Sequence, residues 1–143
     1  MGFISFLCLA VAFGARAQGP GVLGDWREPG GAAIRILPCG SEVCLRLVKL
    51  NPQETHTADE MNPDLSKRTR PLCNLEIGAG FHLIQANDAE DGHIYDPKSG
   101  KTYRAAMQAE GDQLRLRGYI GIKAFGRTEQ WTRVPGGLKD TCR

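Results

Sequence analysis

The residues that could begin hydrolytic chemistry are few and lie far apart in the chain. A nucleophilic serine needs a histidine base and an orienting carboxylate, and it often sits in a tight Gly-x-Ser-x-Gly elbow. No such elbow surrounds any of the candidates, which are His56, His82 and His93 with Ser41, Ser66 and Ser99. The serines stand in loop-like stretches, and no pair of carboxylates is marked out by its spacing. The sequence therefore predicts a protein that is not an enzyme.

The stretch Asp96-Pro97-Lys98-Ser99-Gly100-Lys101 has residue types that are found in phosphate-binding loops. A phosphate loop also needs a glycine-rich lead and a following helix, and neither is present here. Pro97 sets φ for a turn, the Asp96 side chain can bond back to the backbone, and Gly100 accepts positive φ. We predict a turn between two strands.

A calcium loop is suggested by the acidic cluster "NDAEDG", which covers residues 87–92. Its spacing departs from the D-x-D-x-D-G template at Ala89. An acidic hairpin tip explains the same residues, so we predict no metal and no cofactor.

Four cysteines follow the N-terminal region: Cys39, Cys44, Cys73 and Cys142. An even number in an exported chain indicates two disulfides, and four cysteines allow three pairings. The economical pairing joins Cys39 to Cys44 around the loop "GSEV" and leaves Cys73 to Cys142. Zinc is the alternative, but the spacing is not that of C-x-x-C ligands.

Residues 1–17 have the pattern of a signal peptide. An apolar run ends in Ala15-Arg16-Ala17, a small-x-small cleavage pattern, and the run is too short for a membrane anchor. Residues 18–143 then form a single domain, periplasmic or secreted, with no transmembrane anchor after cleavage. The whole chain has a formal net charge of +2, which gives no electrostatic footprint for nucleic acid.

Alternating apolar and polar residues indicate an all-β protein. Leu114 and Leu116 alternate with charged residues, and Ile34 and Ile36 do so around Arg35. Shorter strand candidates are residues 23–27, 75–77, 81–85 and 93–95, and turns are predicted at residues 29–31, 88–92, 96–100 and 110–112. Many short strands with regular turns are typical of a sandwich or a barrel.

The polar segment 51–71 contains three prolines and is predicted to be a long connection with one short helical turn. It carries Asp59, Asn62, Arg68 and Arg70. In one interpretation the connection lies at a barrel mouth, where Arg68 or Arg70 grips an acidic head group. In the other, Asp59 and Asn62 satisfy backbone groups of an ordered loop and an arginine pairs with Asp59.

In this order, the motifs "GDW", "PCGSEVCLRLVKL", "DEMNPDLSKRTRPLCNLEI", "GHIYDPKSGKTYRA", "LRLRGYIG" and "FGRTEQWTRV" resemble a family of secreted bacterial proteins, domain of unknown function 2147. The resemblance implies an antiparallel up-and-down barrel of about eight strands, lipocalin-like, with one long polar connection. It also implies that Trp26 of the Gly-x-Trp motif stacks against an arginine of the last strand, either Arg127 or Arg133.

A barrel of eight strands can be filled by side chains or can hold one small ligand. Candidates to line such a cavity are Tyr95, Tyr103, Met107, Tyr119 and Trp131. We expect a non-catalytic exported protein that holds a small apolar or amphiphilic ligand, such as a lipid, with a tyrosine or arginine orienting the polar end. The alternative is an interaction or structural module of the cell envelope, with a packed barrel and an envelope protein as partner.

Overall fold

Eight antiparallel strands form the protein, and the computed structural model describes residues 21–142. The strands are β1 Gly24–Arg27, β2 Ala33–Cys39, β3 Glu42–Lys49, β4 Glu76–Gln85, β5 Asp88–Asp96, β6 Lys101–Glu110, β7 Gln113–Tyr119 and β8 Arg127–Arg133. Each strand pairs with the next one in the sequence, and β8 pairs with β1 to close the barrel. The predicted all-β, up-and-down barrel of about eight strands is confirmed. The predicted signal peptide lies outside the described residues.

Side-chain alternation determines which residues fill the barrel. In β7, Leu114 and Leu116 are buried while the neighbouring Arg115 is exposed. Ile34 and Ile36 of β2 are buried in the same way. Because side chains of a strand alternate between its two faces, these patterns fix the pairing register of the sheet.

Strand β4 differs from the prediction, which divided it into residues 75–77 and 81–85. One strand spans both segments and passes through Gly78 and Gly80, with irregular pairing to β3. An added Cβ on Gly78 would lie 2.9 Å from the Cβ of Leu45, and Gly80 has φ +77°. These glycines serve close packing and a bend within the strand, whereas in the sequence they suggest a break.

The turn predicted at residues 88–92 is also wrong. The chain reverses at residues 86–87, and β5 begins at Asp88. A register shift follows, where Asp91 has φ 61°. Gly92 is required because an added Cβ would lie 2.3 Å from the Phe81 ring. The cluster "NDAEDG" is therefore a bulged strand start and not an acidic hairpin tip.

The two ends of the barrel are built differently. Tight hairpins join β2 to β3, β4 to β5 and β6 to β7 at one end, which we call the closed end. The opposite end, the open end, carries the loops at residues 28–32, 50–75, 97–100 and 120–126. Trp26 and Phe81 are fully buried between the two ends.

Two disulfides join the predicted pairs of cysteines. Cys39–Cys44 closes the β2–β3 hairpin, and Cys73–Cys142 ties the end of the long connection to the C-terminal segment. The connection contains one 3₁₀ turn, Leu65–Lys67, as predicted. Its first turn is capped by Asp64, which accepts hydrogen bonds from the backbone N–H and the hydroxyl of Ser66. Within residues 21–142, no helix is long and apolar enough to cross a membrane.

Candidate functional site

A cavity of about 880 Å³ occupies the open half of the barrel. Binding sites for small molecules usually have volumes of this order and predominantly apolar walls. The apolar wall here comes from six strands and includes Ile34, Leu47, Ile77, Ile94, Leu116 and Trp131. The cavity is not consistent with a completely filled barrel.

Large side chains fill the interior of the closed half. Trp26, Phe81, Met107 and Leu114 are all at most 2% exposed and belong to one core cluster. Met107 was a candidate for lining the cavity, and the structure places it in this packed half instead. Gly118 of β7 and Tyr103 of β6 both line the cavity, and an added Cβ on Gly118 would lie 3.6 Å from the Cβ of Tyr103.

The three candidate tyrosines, Tyr95, Tyr103 and Tyr119, all line the cavity. The Tyr95 hydroxyl donates a 2.6 Å hydrogen bond to Oδ1 of Asp59. Burial and this hydrogen bond to a carboxylate raise the pKa of Tyr95 to about 12. Tyr119 lies beneath Arg104, whose guanidinium carbon is 5.6 Å from the ring centroid. Tyr103 has no such partner within residues 21–142.

The connection is ordered around the buried carboxylate of Asp59. Nε of Arg70 donates to its Oδ2 at 2.8 Å, and Nδ2 of Asn62 donates to the same oxygen at 2.8 Å. Burial opposes ionisation of Asp59, but the hydrogen bonds from Tyr95, Asn62 and Arg70 outweigh it and lower the pKa of the carboxyl. Arg68 donates to the backbone oxygen of Asn62 at 2.8 Å. Arg68 and Arg70 thus hold the connection, and neither lines the cavity.

Two other cations, Lys98 and Arg127, lie in the cavity wall at the open end. Their side chains form no hydrogen bond or ion pair within residues 21–142. The carboxylates in the same wall are engaged differently, because each accepts a hydrogen bond from a nearby N–H group: Glu28, Glu54, Asp96 and Glu129. The wall therefore carries two cations without an ion-pair partner in the described part of the chain, beside four carboxylates that are held by neutral N–H donors.

Glu129 is a cavity residue that the sequence analysis missed. It accepts a 2.7 Å hydrogen bond from Nε1 of Trp131, which fixes the indole in the cavity wall. The signal was present in β8, where Arg127, Glu129 and Trp131 occupy alternate positions and so share one face.

The closed end contains the pair that the Gly-x-Trp motif predicted. The guanidinium carbon of Arg133 lies 4.0 Å from the Trp26 ring centroid. The same group donates to the carbonyl oxygens of Gly21 at 2.7 Å and Leu23 at 3.1 Å. Desolvation lowers the pKa of Arg133. Of the two arginines considered, Arg133 is the partner of Trp26, while Arg127 lies at the opposite end of the strand.

The residues that could support metal or histidine chemistry lie outside the cavity. Among residues 21–142, the group of potential metal ligands is Cys39, Cys44 and Glu76, and its two cysteines are joined in a disulfide. Nδ1 of His56 is 2.8 Å from Oε2 of Glu60, but both side chains are more than half exposed. No histidine of the described chain lines the cavity.

A closed barrel of eight antiparallel strands with a Gly-x-Trp motif, an arginine over the tryptophan and an open-ended cavity defines a lipocalin-like protein. A solved structure supports this fold: a protein from the human pathogen Helicobacter pylori, described as belonging to the lipocalin family. It superimposes with a TM-score of 0.73 at 15% sequence identity, covering 80% of this chain and 83% of that chain.

The family model described as "Uncharacterized protein conserved in bacteria (DUF2147)" matches residues 24–133. The chain therefore belongs to this bacterial family, as its motifs indicated. No match was found among the curated proteins.

Proposed function

We propose that this protein is a non-catalytic binding protein that holds a small amphiphilic molecule in the open half of its barrel. The cavity of about 880 Å³ carries this proposal. An apolar chain placed against Ile34, Leu116 and Trp131 would be removed from water, which stabilises the complex by roughly 25 cal/mol per Å² of apolar surface.

The two cations of the cavity wall are the groups that would bind an acidic head group, such as the carboxylate of a fatty acid. Lys98 and Arg127 are unpaired there, whereas the carboxylates in the wall already accept hydrogen bonds. A guanidinium can bind a carboxylate through two parallel hydrogen bonds. We therefore assign the binding of the acidic head group to Arg127. Arg68 and Arg70, the candidates predicted from the sequence, are engaged within the connection.

The disulfides support an oxidising compartment. We therefore include export in the proposal and place the protein in the periplasm or outside the cell. Binding in that compartment would carry an amphiphile through water without exposing its apolar chain.

Native mass spectrometry provides the first test, on protein exported into a periplasm and purified without detergent. We expect an adduct that disappears after organic extraction, and its mass will identify the ligand class. A bare mass before and after incubation with a mixed lipid extract would contradict the proposal.

A cavity-filling variant provides the second test. Gly118→Leu adds a side chain next to Tyr103 at ordinary contact distance, and Gln130→Leu is a control on an exposed position of β8. Binding of hexadecanoate, measured by calorimetry, should fall at least about tenfold in Gly118→Leu and remain in the control. The substitution Arg127→Gln should weaken the binding of hexadecanoate more than the binding of hexadecanol. Equal effects on both probes would rule out the acidic head group.

A further inference from the structure

The loop between β7 and β8 carries three exposed apolar side chains within six residues. Ile120 is 70% exposed, Ile122 is 58% exposed and Phe125 is 84% exposed. Single exposed apolar residues are ordinary on a protein surface, whereas a cluster that includes an aromatic ring indicates an interaction site. We refer to residues 120–126 as the apolar loop.

The apolar loop is held in this shape from outside the barrel by Arg117. Its guanidinium donates to the backbone oxygens of Lys123 at 2.8 Å and Ala124 at 3.1 Å, and to the hydroxyl of Thr128 at 2.8 Å. A 3₁₀ turn, Lys123–Phe125, forms the centre of the loop. An added Cβ on Gly126 would lie 2.6 Å from the carbonyl oxygen of Gly118. Thus a polar framework keeps the apolar side chains in water.

The charged residues of the apolar loop and its flanks in the chain are cations, since the segment 118–128 contains Lys123 and Arg127 and no acidic residue. Nζ of Lys123 is paired with Oε1 of Glu90 at 3.1 Å, which leaves Arg127 as the unpaired cation of this segment. Lys98 of the neighbouring open-end turn adds a further cation whose side chain is unpaired within residues 21–142. Apolar side chains flanked by cations fit the interface of a bilayer that contains anionic lipids.

The size of the patch also favours a bilayer over a second protein. A stable interface buries about 800 Å² on each partner, and three side chains of this size bury at most roughly 500 Å². Insertion into a bilayer interface requires only a few such side chains, because the acyl boundary surrounds them. We propose that the apolar loop docks the open end of the barrel on an anionic bilayer surface.

Docking would place the cavity opening against the acyl chains. Ile120 and Phe125 belong both to the apolar loop and to the cavity wall. A lipid could then pass between bilayer and cavity along a continuous apolar path. This last consequence depends on the proposed ligand binding, whereas the docking itself does not.

Vesicle co-sedimentation tests the docking with the full mature chain. The vesicles are phosphatidylcholine alone or phosphatidylcholine with phosphatidylglycerol as the minority lipid. We expect binding to the anionic vesicles that weakens with salt, and a loss of at least about tenfold in the double variant Ile122→Ser, Phe125→Ser. The matched control is Leu83→Ser, Ile84→Ser, which removes two exposed apolar residues of β4 outside the open end. This control should bind as the wild type does.

Three results would overturn the docking proposal. One is wild-type protein that stays in the supernatant with both kinds of vesicle, and another is an equal loss in the β4 control. The third is self-association of the wild type in sedimentation velocity that the loop variant abolishes, since this would assign the loop to an interface between copies. Gly118→Leu separates the two proposals, because it should lose hexadecanoate but keep vesicle binding.

Discussion

The carboxylate of Asp59 is fully buried, yet the groups around it favour its charged form. The Tyr95 hydroxyl, the Asn62 amide and the Arg70 guanidinium all donate to it. A charge removed from water costs free energy unless its partners replace the lost hydration. Asp59 therefore attaches the long connection to Tyr95 of β5. This attachment depends on the carboxyl group remaining ionised.

Acid should release this arrangement. The folded-state pKa of Asp59 lies below its unfolded value of about 3.9. Its contribution to stability is therefore complete above the unfolded pKa and is lost as the pH falls through the folded pKa. Asp59→Asn should lower the free energy of unfolding at pH 7 by about 2 kcal/mol. It should also flatten the loss of stability below about pH 4.

Urea unfolding at a series of pH values measures both effects. The control is Asp140→Asn, because the Asp140 side chain is 85% exposed, and its stability should change by less than about 0.5 kcal/mol. An acid profile of Asp59→Asn that parallels the wild type would show that Asp59 does not link stability to pH.

At the closed end, the planar guanidinium of Arg133 stacks on Trp26 and donates hydrogen bonds to the backbone that precedes β1. Arg133→Lys keeps the charge but removes the ring stacking and the fork of donors to Gly21 and Leu23. We expect a loss of about 2 kcal/mol in the free energy of unfolding. Arg127→Lys is the matched control in the same strand and should stay within about 0.5 kcal/mol of the wild type. Equal stability of the two variants would contradict this role of Arg133.

The sequence predicted some of these residue roles because the chemistry is local. Trp26 was marked by its motif, and Asp59 by its place in a polar loop that needs internal partners. The choice between Arg127 and Arg133 could not be made, since both lie on the same strand and only the strand's direction in the closed barrel separates them. The partnership of Tyr95 with Asp59 joins residues 36 positions apart, and no local pattern indicates it.

At the scale of strands, β7 was predicted well because its apolar and charged residues alternate without interruption. β4 was divided in error because Gly78 and Gly80 resemble turn residues when read locally. Their function depends on neighbouring strands, in particular on Leu45 of β3. A sequence pattern shows that a glycine is present, but only the paired strand shows whether it makes a turn or a close contact.

Gly92 is another glycine whose role depends on a neighbouring strand, because it lies against Phe81 of β4. Gly92→Ala would place a methyl group 2.3 Å from the Phe81 ring, in the packed half of the barrel. We expect a loss of about 2 kcal/mol in stability through overpacking. Gly118→Ala is the control, since its methyl group would meet Tyr103 at 3.6 Å and should cost far less. Similar urea midpoints for both variants would contradict the importance of this contact.

At the scale of the whole molecule, the barrel divides into a packed half and a hollow half. The tight hairpins and the Trp26–Arg133 pair lie with the packed half, whereas the longer loops surround the cavity. The sequence predicted a barrel with these residues, but a cavity volume depends on all side chains together and was left open.

A ligand in the hollow half should stabilise the entire barrel. Hexadecanoate at about 100 times its dissociation constant would add roughly 2.7 kcal/mol to the free energy of unfolding. For a domain of this size that corresponds to a rise of about 10 °C in Tm. Differential scanning calorimetry with and without hexadecanoate measures the shift. The Tm of Gly118→Leu should increase little on addition of hexadecanoate. A rise in Tm equal to that of the wild type would place the ligand outside the cavity.

The Cys73–Cys142 disulfide also determines how the molecule responds to mechanical force. It bridges a sequence separation of 69 residues, which includes strands β4 to β8. A pull on the two ends of the chain is carried through the bridge, so only the part before Cys73 can be extended. Reduction releases the remainder, which adds about 240 Å of contour length at about 3.5 Å per residue. While the disulfide is intact, tension can therefore extend only the chain before Cys73, and strands β4 to β8 bear no load.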